Sequence, residues 1–264
     1  LDQLEPGNPF YNVPTAVTLK GQLDVAQLER ALNELVARHE VLRTTFCSVD
    51  GEPRQVVHAS MPLSLSVTDL RHLSAEDREQ HVRSAVEQDA RAPFDLASGP
   101  LLRASLLRVA DDEYLWLYSV HHIIADGWSM GVILHEVATS YGDYLRGETP
   151  TLAPLPVQYA DYACWQQQRV GGAVLDAQLD HWRRTLDDAP LLSTLPADRP
   201  RPLVQRYVGA TFSSSVDGGT LRELTALARQ TQGTLFNVLL GALAVLLWRH
   251  SGQQDLCIGT PFAN

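Results

Sequence analysis

The sequence predicts an α/β sandwich built on a mixed sheet. Three features point there. Two apolar runs, residues 101–109 and 114–121, flank Asp111-Asp112 and read as neighbouring strands joined by a short connection. Apolar stripes at helical spacing lie before and after that pair. Hairpin-like pairs sit beside helices and do not alternate strictly with them, which argues against an all-parallel sheet.

The elements follow in order. Residues 21–38 read as a helix, capped by Asp24 with Gln27 completing a capping box. Leu28, Ala31, Leu32, Leu35 and Val36 give it one apolar stripe. Residues 42–49 and 55–58 read as strands around a turn at Asp50-Gly51, and residues 63–67 as a further strand. Ser74 caps a polar helix that runs to Ala92 and stops before Pro93. After the strand pair, residues 128–145 form a helix with Met130, Ile133, Leu134, Val137 and Tyr141 on one side, ended at Gly147. A proline-rich connection at 147–156 leads to a helical segment at 157–186. Residues 187–202 read as an extended crossing. A short strand at 210–214, a helix at 220–230 and a helix opened by Thr234 close the chain.

With 264 residues the chain is long enough for one large domain or two lobes. The 31 acidic side chains outnumber the 21 Lys and Arg, a formal charge of −10, and no basic stripe is visible. Nucleic acid and anionic membranes are therefore not expected partners. Cys47, Cys164 and Cys257 lie far apart, so no zinc knuckle or disulfide framework is expected. A reducing, cytoplasmic compartment fits that usage. The apolar stretch 235–248 is interrupted by Asn237 and Gly241 and falls short of the roughly 20 residues that span a bilayer. The chain starts at Leu1 without a charged, then apolar, leader, so no signal peptide is expected and the start reads as internal to a longer polypeptide.

The segment His121-His122-Ile123-Ile124-Ala125-Asp126-Gly127 carries the chemistry. Adjacent strand residues face opposite ways, so one imidazole should enter the interior while the other faces a cavity. A neutral imidazole accepts a proton from an attacking amine or hydroxyl near neutral pH. Acyl transfer is the leading expectation. Diverging histidines chelate one metal poorly, and no further ligand cluster accompanies them. Gly127 is expected to need positive φ or close backbone approach. The amides beside it, at the start of the next helix, are candidates for stabilising a developing oxyanion.

Other segments add to that motif. They are Leu4 to Asn12, Arg38-His39-Glu40-Val41-Leu42-Arg43-Thr44-Thr45-Phe46, and Tyr159-Ala160-Asp161-Tyr162-Ala163-Cys164-Trp165. Leu195 to Pro202 and Ile258 to Asn264 complete the set. In this order they resemble the condensation domains of nonribosomal peptide synthetases, whose histidine motif is HHxxxDG. The resemblance implies a chloramphenicol acetyltransferase-like fold of two lobes with a substrate tunnel between them, here with residues 1–170 as the first lobe and 171–264 as a crossing and an incomplete second lobe. It assigns the active-site role to His122 and a structural role to His121. It implies that Asp126 holds the loop through an ion pair with Arg38 or Arg43, and that Trp128 and Ser129 serve as wall and cap residues. It implies amide formation between aminoacyl groups on the phosphopantetheine arms of upstream donor and downstream acceptor carrier proteins, beside an adenylation domain. It implies that the domain itself binds no cofactor. The segments Leu4 to Asn12 and Asp126 to Met130 resemble the subclass joining an L-donor to an L-acceptor. Two rivals remain: an acyl-CoA-dependent O-acyltransferase of the same superfamily, and a carrier-docking module without chemistry. Arg199 and Arg201 lie between prolines and read as a solvated linker.

Overall fold

The computed structural model describes residues 5, 7–190, 195–200, 202–203 and 209–260. Leu4, Pro6, Arg201 and residues 261–264, which belong to the segments above, lie outside the described residues. The chain forms two compact units, the first ending at Arg169 and the second beginning at Val170.

The first unit is built on a four-stranded sheet in the order β1-β6-β5-β4. β5 (Leu102–Ala110) and β6 (Glu113–His121) form an antiparallel pair across the Asp111-Asp112 turn. β4 (Ser66–Asp69) runs parallel to β5, and α2 (Ala75–Arg91) makes the crossover. β1 (Asn12–Lys20) adds antiparallel to β6, so the sheet is mixed as expected. β1 is the one strand the sequence pattern did not reveal. Pro14 interrupts its apolar run, and Pro14 is tolerated because β1 is an edge strand. A separate hairpin pairs β2 (Thr44–Val49) with β3 (Glu52–Val57), which begins at Glu52, ahead of the expected start at Gln55. The strand expected at 63–67 begins only at Ser66. Leu63 is instead held by the Asn33 side chain, which bonds its N–H at 2.8 Å and its C=O at 2.8 Å.

Helices cover both faces of this sheet. α1 (Val25–Arg38) and α3 (Gly127–Leu145) pack on the face carrying Leu106, Trp116, Tyr118 and Val120. Residues of opposite parity, Leu107 and Leu117, face α2 through Val82, Ala85 and Val86. The period of two in β6 thus supplies both cores. Each fully buried leucine contributes about 1.5–3 kcal/mol of transfer free energy. The Asp24 side chain caps α1 by accepting from Gln27 N–H at 3.1 Å. The return arm of the expected box is absent, since Gln27 Oε1 is buried without a hydrogen-bond partner.

The 157–186 segment is two helices, not one. α4 (Tyr159–Arg169) ends the first unit and α5 (Ala173–Leu186) lies in the second. The break is Gly172, whose φ of 58° is a left-handed backbone favoured by glycine. The second unit also contains α6 (Gly218–Gln230), capped by Asp217, and α7 (Leu235–Ser251), opened by a Thr234/Asn237 capping box. The strand expected at 210–214 does not form: those residues have no regular secondary structure. An isolated strand leaves its backbone groups unpaired, and none of the described strands pairs with it. No single helix among the described residues is long and apolar enough to cross a membrane. The pair α6 and α7 meets the length and composition together but bends by 102°.

Candidate active site

β6 lies inside the sheet between β1 and β5, and it delivers the histidine pair at its end. His121 N–H donates to Leu101 C=O at 3.0 Å, and His122 N–H donates to Tyr11 C=O at 2.8 Å. Both backbone positions are therefore held, one from each flanking segment. Ile124 N–H then donates to His121 C=O at 3.1 Å, which turns the chain out of the strand.

The two rings meet different fates. His121 is 6% exposed. Its Nδ1 accepts Ile123 N–H at 3.1 Å, so the proton of the neutral ring sits on Nε2. The ring also packs edge-on against Phe94, with centroids 6.1 Å apart. His122 is exposed. The parity of the strand predicts this split, and the turn at Ile124 preserves it.

Asp126 does not make the expected ion pair. Among the described residues neither Arg38 nor Arg43 forms a salt bridge with it. Arg38 Nε bonds Glu136 Oε2 at 3.1 Å, and Arg43 Nη2 lies 3.5 Å from Glu40 while its Nη1 donates to His58 C=O. Asp126 is instead the N-cap of α3. It accepts Ser129 N–H at 2.9 Å and the Ser129 hydroxyl at 2.6 Å, and Ser129 Oγ accepts Asp126 N–H at 3.1 Å. This capping box holds the loop from its far end. The Ser129 hydroxyl and amide bonds draw the Asp126 carboxyl below the ordinary carboxylate range. Ser129 N–H is thus occupied and is not free for an oxyanion.

Gly127 departs from expectation as well. It is the first residue of α3, has no positive φ, and a Cβ placed there would meet nothing within 4 Å. Neither a left-handed turn nor close protein backbone explains it. Trp128 is 79% exposed beside it. A cavity of about 200 Å³ lies against the same segment, with Ile124, Ala125, Trp128 and Ser129 on one side and Leu35, His39 and Leu42 on the other. His122 is not among its lining residues.

Sequence reasoning missed Glu136, which is 8% exposed and takes both Arg38 and His39 on one oxygen. The signal was its position: three residues past Ile133, it falls on the buried stripe of α3. It missed Asn12 too, whose amide donates to Ala90 C=O at 2.9 Å and Ala92 C=O at 2.8 Å under the histidine pair. Asn12 is the register partner of His121. Among the described residues no three His, Cys, Asp or Glu side chains are grouped to hold a metal.

Comparison with known proteins places the chain in a family. A family profile described as condensation domain matches residues 1–264. The chain belongs to the condensation domain family. As a condensation domain it is 46% identical over 263 residues to one of the linear gramicidin synthase proteins of Brevibacillus parabrevis, covering 100% of this chain and 5% of that protein. It is 40% identical to phosphinothricin tripeptide synthetase PhsC of Streptomyces viridochromogenes, covering 100% of this chain and 24% of that protein. It therefore spans only a small part of the length of these relatives. Among solved structures it is similar to the X-domain from teicoplanin biosynthesis, with a TM-score of 0.82, 30% identity, and 96% of this chain and 55% of that chain covered. It also matches a four-domain nonribosomal peptide synthetase bound to AMP and glycine, with a TM-score of 0.79, 29% identity, and 96% and 19% covered. The condensation domain fold is mixed α/β and chloramphenicol acetyltransferase-like, as the sequence implied.

Proposed function

We propose that this chain forms an amide bond between two carrier-tethered substrates. The donor is an aminoacyl or peptidyl thioester, and the acceptor is the α-amine of a second carrier-bound amino acid. The amine attacks the thioester carbonyl carbon and gives a tetrahedral intermediate. His122 accepts the proton that the amine must lose, or holds the amine for attack. Collapse breaks the C–S bond. The sulfur leaves as thiolate and takes up a proton to become the free thiol of the donor's phosphopantetheine arm. The domain binds no cofactor in this scheme; both arms belong to upstream and downstream carrier proteins, next to an adenylation domain, in the cytoplasm. Residues 1–170 serve as the N-terminal lobe and 171–264 as the crossing and part of the second. A tunnel leads to His122, with Trp128 on its wall, and both joined residues are L-configured.

The observation that carries this proposal is the division of labour between the histidines. His121 is spent on the interior, whereas His122 is exposed on a backbone tied to Tyr11. An exposed imidazole on a fixed backbone suits proton transfer to an incoming substrate. Asp126 supports it by capping the start of α3.

The test supplies the protein with a donor carrier bearing an aminoacyl thioester and an acceptor carrier bearing an amino acid. Dipeptidyl thioester on the acceptor carrier is the expected product. Ester formed from acyl-CoA and a long-chain alcohol, without amide, would support the O-acyltransferase alternative. Carrier binding without any product would support a docking module.

A further inference from the structure

We propose that Glu136 is a positioning residue for His122. The inference rests on the amide-forming function above. One carboxylate oxygen, Glu136 Oε2, is shared by Arg38 Nε at 3.1 Å and His39 Nε2 at 2.7 Å. All three side chains are mostly buried. Arg38 is the last residue of α1 and His39 is its C-cap, so a single group on α3 fixes the end of α1. Gln158 fixes the same end from the segment before α4. Its Nε2 donates to Arg38 C=O at 2.9 Å, and its Oε1 accepts Glu40 N–H at 3.1 Å.

The route from Glu136 to His122 is contiguous. His39 lines the cavity on the α1 side, and Ile124 and Ala125 line it on the other. Those two buried residues follow His122 and Ile123 and carry the chain into the Asp126 cap. Ile124 and Ala125 are buried in the same core as Leu35, Leu42 and Ile133, so the placement of the end of α1 against α3 bears on theirs. Glu136 ties the C-terminal end of α1 to α3, beside the apolar contacts that pack the two helices together. Arg38 left without the carboxylate is a poorly exposed cation with no counter-charge on α3, which drives the end of α1 outward toward water. The loop that presents His122 then loses one wall of its seat. Such coupling needs a physically connected set of groups, and here each link is a hydrogen bond or a shared cavity wall.

The conservative substitution Glu136→Gln keeps size and one acceptor oxygen but removes the charge. The first readout is amide hydrogen exchange in the 264-residue chain. Ile123 and Ile124 amides, protected by His121 Nδ1 and His121 C=O, should exchange about tenfold faster, while amides in the middle of β5 and β6 stay as they were. The second readout is amide formation under single turnover. The maximal rate should fall by up to about 100-fold, the scale of an ångström of misplacement, with little change in the apparent affinity for the acceptor carrier. Glu136→Asp should recover part of the loss. In a His122→Ala background Glu136→Gln should cost almost nothing further, because both act on the same step.

Unchanged exchange at Ile123 and Ile124 would overturn the proposal. So would a fully independent loss in the double variant. The two proposals fail separately: a His122→Ala protein with unchanged turnover sinks the role of His122, whereas an Ile123 and Ile124 exchange rate that ignores Glu136→Gln sinks only the positioning role.

Discussion

Replacing Asp126 by alanine separates two accounts of how the histidine loop is held. If the carboxylate were half of a buried ion pair, its loss would strand an arginine and cost about 3–5 kcal/mol. The structure gives it a different task. It accepts Ser129 N–H at 2.9 Å and the Ser129 hydroxyl at 2.6 Å, while Arg38 and Arg43 are engaged by Glu136 and Glu40. Removing an N-cap costs typically about 1 kcal/mol, with a range of about 0.5–2. Loss of the return bond to Ser129 Oγ places Asp126→Ala toward the upper end of that range. The assay is urea unfolding of wild type, Asp126→Ala, Asp126→Ser and the double variant with Arg38→Ala. Asp126→Ser should recover most of the loss, because a serine hydroxyl caps a helix nearly as well as a carboxylate. The Asp126 and Arg38 losses should add.

The pH dependence has a definite sign. The carboxyl of Asp126 is drawn below its unfolded value of about 3.9. Its stabilisation is therefore fully present above that unfolded value and disappears as pH falls through the lower, folded one. The wild-type advantage over Asp126→Ser should shrink only below about pH 4. A cost of about 3 kcal/mol or more for Asp126→Ala, no rescue by serine, and non-additivity with Arg38→Ala would refute the capping account.

Two further outcomes follow from the same geometry. Gly127→Ala should raise stability by up to about 1 kcal/mol, since the residue is helical, lacks positive φ and has open space at its Cβ. If substrate approaches the exposed side of α3, the same change should lower turnover; a thermal melt beside the carrier assay reads both, and unchanged turnover would remove substrate from that space. His121→Ala should destabilise by about 2 kcal/mol, because it opens a hole beside Phe94 and leaves Ile123 N–H without its acceptor. A chemical melt within about 0.5 kcal/mol of wild type would contradict the buried role.

Much of the first unit was legible because its periods are strong. In β6 alternate residues feed two cores, and α1 carries Leu28, Leu32 and Leu35 on one stripe. The split between His121 and His122 followed from the same period of two. β1 was hidden by Pro14, which breaks a strand pattern unless the strand lies at an edge, and edges are decided by the whole sheet. The strand expected at 210–214 failed for the converse reason. A local strand preference forms nothing without a partner ladder. The partner of Arg38 depends on how α1 and α3 sit against each other, which spacing along one chain does not encode. Glu136 lies in α3 and Asp126 caps its start, and only packing assigns the arginine to Glu136. The glycine of the motif was expected to serve the backbone, yet its φ and open surroundings remove that reason.

The most direct measurement compares His122→Ala with wild type for amide formation between loaded donor and acceptor carriers under single turnover, alongside a thermal melt. The exposed, backbone-anchored position of His122 predicts a melt close to wild type, since exposed substitutions stay within about 0.5 kcal/mol. It predicts a rate lower by about 10²- to 10⁴-fold, the range for loss of a positioned general base. An undiminished rate with an intact fold would contradict the central claim that His122 carries the chemistry.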